Sequence, residues 1–148
     1  MLKRIDHVNV VVSDLKAATD FFSRLGFFVQ HQGNLEGPWI SSIVNLENVR
    51  ASYVQLSLDR SGSNLELIEF QNPRSPSQGT ESKSIPNQLG IRHIAFEVDD
   101  IDALVDRLRM EGIVFFGEIQ TYPATGKKLV YCYGPDGIIL EFAQYRGD

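Results

Sequence analysis

The chain has 148 residues, 43% apolar and 22% charged, and this balance predicts one globular domain with its own core. The net charge of −5 argues against a nucleic-acid partner, because affinity for a phosphate backbone depends on Lys and Arg. Cys132 is the single cysteine, which excludes an intrachain disulfide, and no apolar run is long enough to span a membrane. The start of the chain leads into a strand pattern and not into a secretory apolar region, so we expect a cytoplasmic protein.

The first half begins with a strand followed by an amphipathic helix. Residues 5–12 are mostly β-branched and apolar, Ser13 and Asp14 can cap a helix, and residues 15–25 place their apolar side chains on one helical face. Gly26 ends this helix. Three further strands are predicted in this half, at residues 27–30, 51–58 and 64–70.

Two segments interrupt these elements. Residues 33–48 contain Gly37-Pro38-Trp39 and a predicted helical turn at 40–46, and we expect this stretch to cover a pocket. Residues 71–90 hold three prolines and several Ser, Gln and Asn, which is typical of a connection or lid. The predicted organisation is therefore one module at about 1–72, a linker at about 73–88 and a second module at about 89–148.

The second half repeats the first. Residues 91–98 form a strand pattern, Asp99 and Asp100 can cap a helix at 101–111, and Gly112 ends it. His93 minus His7 is 86, and Gly112 minus Gly26 is also 86. Further strands are predicted at residues 114–116, 128–133 and 138–143. The sequence therefore predicts an α+β fold of two tandem βαβββ modules that form a curved mixed sheet around a metal-binding cavity.

The last strand of each half carries a glutamate between apolar residues, Glu66 in the first and Glu141 in the second. Glu66 plus 86 is 152, so the second half is shorter by 11 residues. Because strand side chains alternate between faces, both glutamates lie among residues typical of a core, where a carboxylate needs a partner. Glu69 is expected on the opposite, solvent-facing side, and His31 is expected at the surface.

His7, Glu66, His93 and Glu141 are predicted to bind one divalent metal ion, because a twofold arrangement of the modules would bring two imidazoles and two carboxylates together. A single histidine in a strand is more often a packed or surface residue, but two at equivalent repeat positions favour a ligand role. The donor set suits zinc, nickel, cobalt, manganese or iron(II). Such an ion polarises a carbonyl oxygen, and Glu66 or Glu141 is then the candidate base for the adjacent carbon.

Substrate contacts are less clearly marked. Four residues are candidates for lining the substrate pocket: Trp39, Phe70, Tyr122 and Lys127. Phe96 and Tyr131 are further aromatic candidates, although aromatic residues on strands are more often core. Lys127 and Lys128 follow Gly126, and a solvated turn is the alternative to an anion-binding role.

These motifs resemble the vicinal oxygen chelate superfamily, the glyoxalase, bleomycin-resistance and extradiol-dioxygenase group. The resemblance rests on four segments: Ile5-Asp6-His7-Val8, Asn64-Leu65-Glu66-Leu67, Ile91-Arg92-His93-Ile94, and Gly134-Pro135-Asp136-Gly137 before Glu141. It implies a metal-dependent lyase or isomerase similar to lactoylglutathione lyase or methylmalonyl-CoA epimerase, acting on a small-molecule substrate in a homodimer. Val11 stands where glyoxalase I usually has an arginine. The alternatives are a small-molecule binding or resistance protein of the same fold, and a metal-dependent dioxygenase.

Overall fold

The computed structural model describes residues 3–58, 63–76 and 83–146, and the chain divides into two compact units, residues 1–80 and 81–148. Unit 1 contains β1 (His7–Val11), α1 (Leu15–Arg24), β2 (Phe28–Glu36), α2 (Pro38–Val44), β3 (Arg50–Ser57) and β4 (Asn64–Asn72). Unit 2 contains β5 (His93–Glu97), α3 (Ile101–Met110), β6 (Gln120–Thr121), β7 (Lys128–Tyr133) and β8 (Ile139–Gln144). The predicted α+β fold with two βαβββ modules is confirmed.

Unit 1 is a four-stranded mixed sheet with the strand order β1-β4-β3-β2. The outer strand β1 runs parallel to β4, and the other pairs are antiparallel. Helix α1 covers one face and buries Phe22 against that side of the sheet, where Leu56 and Leu67 are also fully buried. The other face carries His7 and, two residues on, Asn9, which pairs with Glu66.

Unit 2 repeats this sheet with the order β5-β8-β7-β6, and β5 again runs parallel to its neighbour β8. His93 pairs with Ile139 in unit 2, as His7 pairs with Asn64 in unit 1. The offset in residue number between the units is therefore 86 for the first strands (93 − 7) and 75 for the last strands (139 − 64). The 11-residue difference between these offsets is the shortening predicted for the second half. In the described part of the chain no helix is long and apolar enough to cross a membrane.

Helices α1 and α3, the first helices of the two units, have the same pattern of N-terminal caps. The predicted caps are confirmed, because Asp14 accepts a hydrogen bond from the Ala17 backbone N–H at 2.9 Å and Asp100 accepts one from Ala103 at 3.0 Å. A second cap comes from the last strand of each unit: Glu69 Oε2 accepts from the Leu15 N–H at 2.8 Å, and Gln144 Oε1 accepts from Ile101 at 3.0 Å. These side chains satisfy N–H groups that have no partner within the helix.

The prediction that Glu69 faces solvent was therefore wrong. Strand alternation does place Glu69 opposite Glu66, but that opposite face is the one covered by α1. The carboxylate lies at the positive end of the helix, where an anion is stabilised.

The second strand of each unit also differs from the prediction. In unit 1, β2 extends to Glu36, well beyond residues 27–30, and the predicted helical turn at 40–46 is the helix α2 with Pro38 in its first turn. In unit 2, residues 114–116 contribute only a bridge between Phe115 and Cys132, and the pairing strand is β6. Residues 114–116 do pair with β7, since the Phe116 N–H donates to the Tyr131 carbonyl at 2.9 Å and the Tyr133 N–H donates to the Val114 carbonyl at 3.2 Å, but the pairing is limited to one bridge.

Candidate metal centre

Unit 1 places one imidazole beside one carboxylate. His7 on the outer strand β1 and Glu66 on β4 share the sheet face opposite α1, and His7 Nε2 lies 3.6 Å from Glu66 Oε1. The His7 side chain is 37% exposed and that of Glu66 is 20% exposed. The pair is thus accessible to a ligand and yet formed by adjacent, hydrogen-bonded strands.

Asp6 determines which nitrogen of His7 is available. Its Oδ2 lies 3.0 Å from His7 Nδ1, and the hydrogen bond with His7 is the largest cause that lowers the pKa of Asp6. A carboxylate can only accept, so Nδ1 donates to Asp6 and the Nε2 lone pair of the neutral ring faces Glu66. With this tautomer, Nε2 and Glu66 Oε1 are both acceptor atoms, an arrangement that can accommodate a cation. A carboxylate behind an imidazole is a frequent arrangement at metal sites.

Asn9 orients the carboxylate of the same pair. Its Nδ2 donates a hydrogen bond of 3.0 Å to Glu66 Oε1, the oxygen that also faces His7. Asn9 and Glu66 are register partners in the parallel β1–β4 pair, so the contact follows directly from the sheet. Glu66 is therefore held by a neutral donor and keeps part of its surface exposed.

Unit 2 holds the equivalent pair more tightly. His93 Nε2 lies 3.2 Å from Glu141 Oε2, and the Glu141 side chain is only 7% exposed. The ring of Tyr131 on β7 lies 5.1 Å from the His93 ring, centroid to centroid, and restricts its orientation. Glu141 is the one charged or polar residue that is buried within the described ranges, so its charge requires compensation.

Lys127 supplies that compensation. Its Nζ donates a hydrogen bond of 3.0 Å to Glu141 Oε1, and this bond is the largest cause that raises the pKa of Lys127. The pKa of Tyr131 is raised too, first by burial and then by the charge of Glu141. Lys127 was predicted as a substrate contact with a solvated turn as the alternative, and the structure places its ammonium on a predicted metal ligand.

The donor atoms of each pair suit a shared divalent ion. Two ligand atoms at about 2.0–2.2 Å from one zinc-like ion lie about 3 to 3.5 Å apart for bond angles between 90° and the tetrahedral value. The nitrogen–oxygen distances of 3.2 Å in unit 2 and 3.6 Å in unit 1 are close to this range. No group of three or more His, Cys, Asp or Glu side chains suited to a metal is found among residues 3–58, 63–76 and 83–146. Each unit thus supplies two of the four predicted ligands.

The predicted substrate residues lie in different surroundings. Trp39 is largely exposed on α2, and Phe70 packs against the buried residues Ile40, Val49 and Ala51. Tyr122 is exposed and closes the turn before β7, where its backbone N–H donates to the Lys127 carbonyl at 2.7 Å. Of these four, Lys127 is the one that contacts a predicted metal ligand in the described residues.

Two other residues singled out in the sequence are placed by the structure. Phe96 is half-buried and packs against buried Phe142 on the helix side of its sheet, so it does not line the donor face. His31 is exposed on β2, as predicted.

Asp6 and Asn9 were missed as site residues. Asp6 was noted only as part of a motif, although an acid directly before a candidate ligand histidine is a recognisable signal. Strand alternation places Asn9 on the face of His7, but its partner could be identified only from the parallel register of β1 and β4. Neither residue is repeated in unit 2, where Arg92 and Ala95 occupy the equivalent positions (6 + 86 and 9 + 86).

Comparisons with known proteins agree with this architecture. Residues 4–142 match the model of the Glyoxalase/Bleomycin resistance protein/Dioxygenase superfamily. The chain is 32% identical to the uncharacterized protein YwkD of Bacillus subtilis (strain 168), over 95% of this chain and 96% of YwkD. It is 29% identical to the mitochondrial methylmalonyl-CoA epimerase of Homo sapiens, over 97% of this chain and 74% of that protein. A crystal structure of a glyoxalase family protein from Bacillus cereus is similar with a TM-score of 0.90 at 29% identity, covering 99% of this chain and 97% of that one.

Proposed function

This chain belongs to the Glyoxalase/Bleomycin resistance protein/Dioxygenase superfamily, and we propose that it is a divalent-metal-dependent lyase or isomerase that moves a proton next to a carbonyl group. The ligands of the ion are His7, Glu66, His93 and Glu141. The observation that carries the proposal is the repeated imidazole–carboxylate pair, with nitrogen–oxygen distances of 3.6 and 3.2 Å on equivalent strands.

The charges support a divalent ion. Two carboxylates and two neutral imidazoles give a donor set of charge −2, which one divalent cation neutralises. Nitrogen and oxygen donors without sulfur suit zinc, nickel, cobalt, manganese or iron(II). When bound, such an ion supplies Lewis-acid polarisation of a substrate carbonyl oxygen, which makes the proton on the adjacent carbon easier to remove.

The glutamates provide the proton transfer. A carboxylate oxygen takes the proton from the carbon next to the carbonyl, and the same group then returns it to the neighbouring carbon. For inversion at the original carbon, the second glutamate delivers a proton to the opposite face. Glu66 suits this role because it is the more exposed carboxylate and its contacts with Asn9 and His7 both involve Oε1. Glu141 is the second candidate.

The metal centre is tested first by elemental analysis of protein purified without a histidine tag or added metal. We expect about one divalent ion per chain, and its loss in the His7→Ala/His93→Ala double variant. His31→Ala is the matched control, because His31 is the third histidine and is exposed on β2. Absence of metal after incubation with zinc, nickel, cobalt and manganese salts, or equal metal in the double variant, overturns the proposal.

The reaction type is tested by proton exchange in deuterated water. Nuclear magnetic resonance would follow deuterium entry next to the carbonyl of two probes, a glutathione–methylglyoxal adduct and an acyl-CoA thioester. Exchange that requires the metal and falls in Glu66→Gln or Glu141→Gln supports the proposal. Iron in the purified protein together with oxygen uptake on a catechol would instead indicate a dioxygenase.

The predicted homodimer belongs to the same proposal. Four ligands from two units could come from one chain or from two copies of it. Sedimentation of the metal-loaded protein and of the double variant would show whether a dimer forms and whether it depends on the ion.

A further inference from the structure

The two donor pairs have different electrostatic surroundings. In unit 1, Glu66 receives its hydrogen bond from the neutral amide of Asn9. In unit 2, the residue equivalent to Asn9 is Ala95, and Glu141 receives its hydrogen bond from the cation Lys127. One half of the repeat therefore carries an additional positive charge at the carboxylate, and the other half does not.

Lys127 is held in place and is not a mobile surface lysine. It ends a tight turn in which its carbonyl accepts from the Tyr122 N–H at 2.7 Å and the Gly126 N–H donates to the Tyr122 carbonyl at 2.8 Å. Its side chain is 23% exposed, and its Nζ lies 5.2 Å from the centre of the Tyr145 ring. The neighbouring Lys128 instead reaches Asp102 on α3, with 2.5 Å between Nζ and Oδ2. Only the first of these two lysines is directed at the donor face.

The charge balance at Glu141 changes if an ion binds there. Without an ion, Lys127 neutralises a buried carboxylate that would otherwise be costly to maintain. With a divalent ion on the same carboxylate, that carboxylate no longer balances the ammonium, which then lies half-buried beside a second positive centre. Such an arrangement is stable when an anion joins it, because hydrogen bonds between ammonium and an anionic oxygen are strong in partly buried positions.

We propose that Lys127 is the substrate-anchoring residue of this site and that it binds an anionic oxygen carried by the substrate close to its reactive carbonyl. The substrate class is therefore a small carbonyl compound with a carboxylate or similar anion near the carbonyl. This inference rests on the proposed metal centre, and it assigns Lys127 a role separate from those of the four ligands.

The test compares two probes on the manganese-loaded protein. Pyruvate and methyl pyruvate offer the same two neighbouring oxygens, but only pyruvate carries a negative charge. Broadening of their methyl proton signals by bound manganese reports affinity without any turnover. Lys127→Met and Lys127→Gln remove the charge, the latter retaining a hydrogen-bond donor for Glu141, and Lys128→Met is the matched control.

We expect both Lys127 variants to bind pyruvate about tenfold more weakly, since a charge-assisted hydrogen bond contributes an amount of this order. Methyl pyruvate should bind equally well to all variants, and Lys128→Met should behave like the unaltered protein. Equal weakening of both probes, or no change with either, overturns the inference while the metal centre stands. Failure of the unaltered protein to take up manganese or any other divalent ion overturns the metal centre and the inference together.

Discussion

Helices α1 and α3 each have a second capping side chain, Glu69 and Gln144, which accepts the same kind of hydrogen bond but differs in charge. Replacing each of them gives two variants that can be compared. Glu69→Ala removes a carboxylate from the Leu15 N–H, and Gln144→Ala removes a neutral amide oxygen from the Ile101 N–H. Both contacts are partly buried, and both helices keep their Asp caps, at Asp14 and Asp100. The comparison therefore isolates the charge of the acceptor.

The expected magnitudes follow from that charge. A hydrogen bond to a charged group contributes about 1.5–3 kcal/mol and one between neutral groups about 0.5–1.5 kcal/mol. The helix dipole adds about 0.3–1 kcal/mol for the anion, and partial solvent exposure reduces the charged value. We expect Glu69→Ala to lower the free energy of unfolding by about 2 kcal/mol and Gln144→Ala by about 1 kcal/mol. Glu69→Gln keeps a neutral acceptor, so it should cost only the difference, about 1 kcal/mol.

Urea unfolding of the metal-free variants measures these free energies, and hydrogen exchange observed by nuclear magnetic resonance measures the two amides directly. The Leu15 amide should exchange faster only in Glu69→Ala and the Ile101 amide only in Gln144→Ala. The reasoning is refuted if Gln144→Ala is at least as destabilising as Glu69→Ala, or if each amide keeps its protection in its own variant.

Two further outcomes are expected from single residues. Asp6→Ala should lower the affinity for the metal about tenfold or more, because the carboxylate behind a ligand imidazole fixes the orientation of the ring. Competition with a chelator measures this affinity, and an unchanged value would contradict the role of Asp6. Burial raises the pKa of Cys132 to about 12, so its thiol should resist an alkylating reagent at pH 8 until the chain is unfolded. Because the raised pKa belongs to the folded state, the stability linked to Cys132 is complete below about pH 9 and falls as the pH rises towards 12, which thermal unfolding at pH 8, 10 and 11 can follow.

The repeat was predictable because the strand alternation and the helix boundaries of each half are visible in the sequence. The alternation around His7 and His93, the capping residues Asp14 and Asp100, and the glycines after each helix all identify elements that depend on local physics. The strand register was not predictable in the same way, because parallel neighbours separated by more than fifty residues leave no local signal. This is why the Asn9–Glu66 contact emerged only from the structure.

The position of Lys127 was hard to predict for a similar reason. Gly126-Lys127-Lys128 is typical of an exposed turn, and the sequence does not show that Lys127, just before β7, contacts Glu141 while Lys128, the first residue of β7, contacts Asp102. Glu69 was misassigned because alternation gives two faces without saying which of them a helix covers. Both cases are decided by packing between elements and not by the properties of a segment.

The histidines and the glutamates of the two pairs lie on strands with different numbers of hydrogen-bonded neighbours. The histidine strands β1 and β5 are each paired on one side within their own sheet, whereas the glutamate strands β4 and β8 are each paired on both. Strands with a single neighbour open more readily than strands held from two sides. At the proposed centre, the carboxylates would thus stay in position while the imidazoles move first, so entry and release of an ion would be controlled by the histidine edge of each sheet.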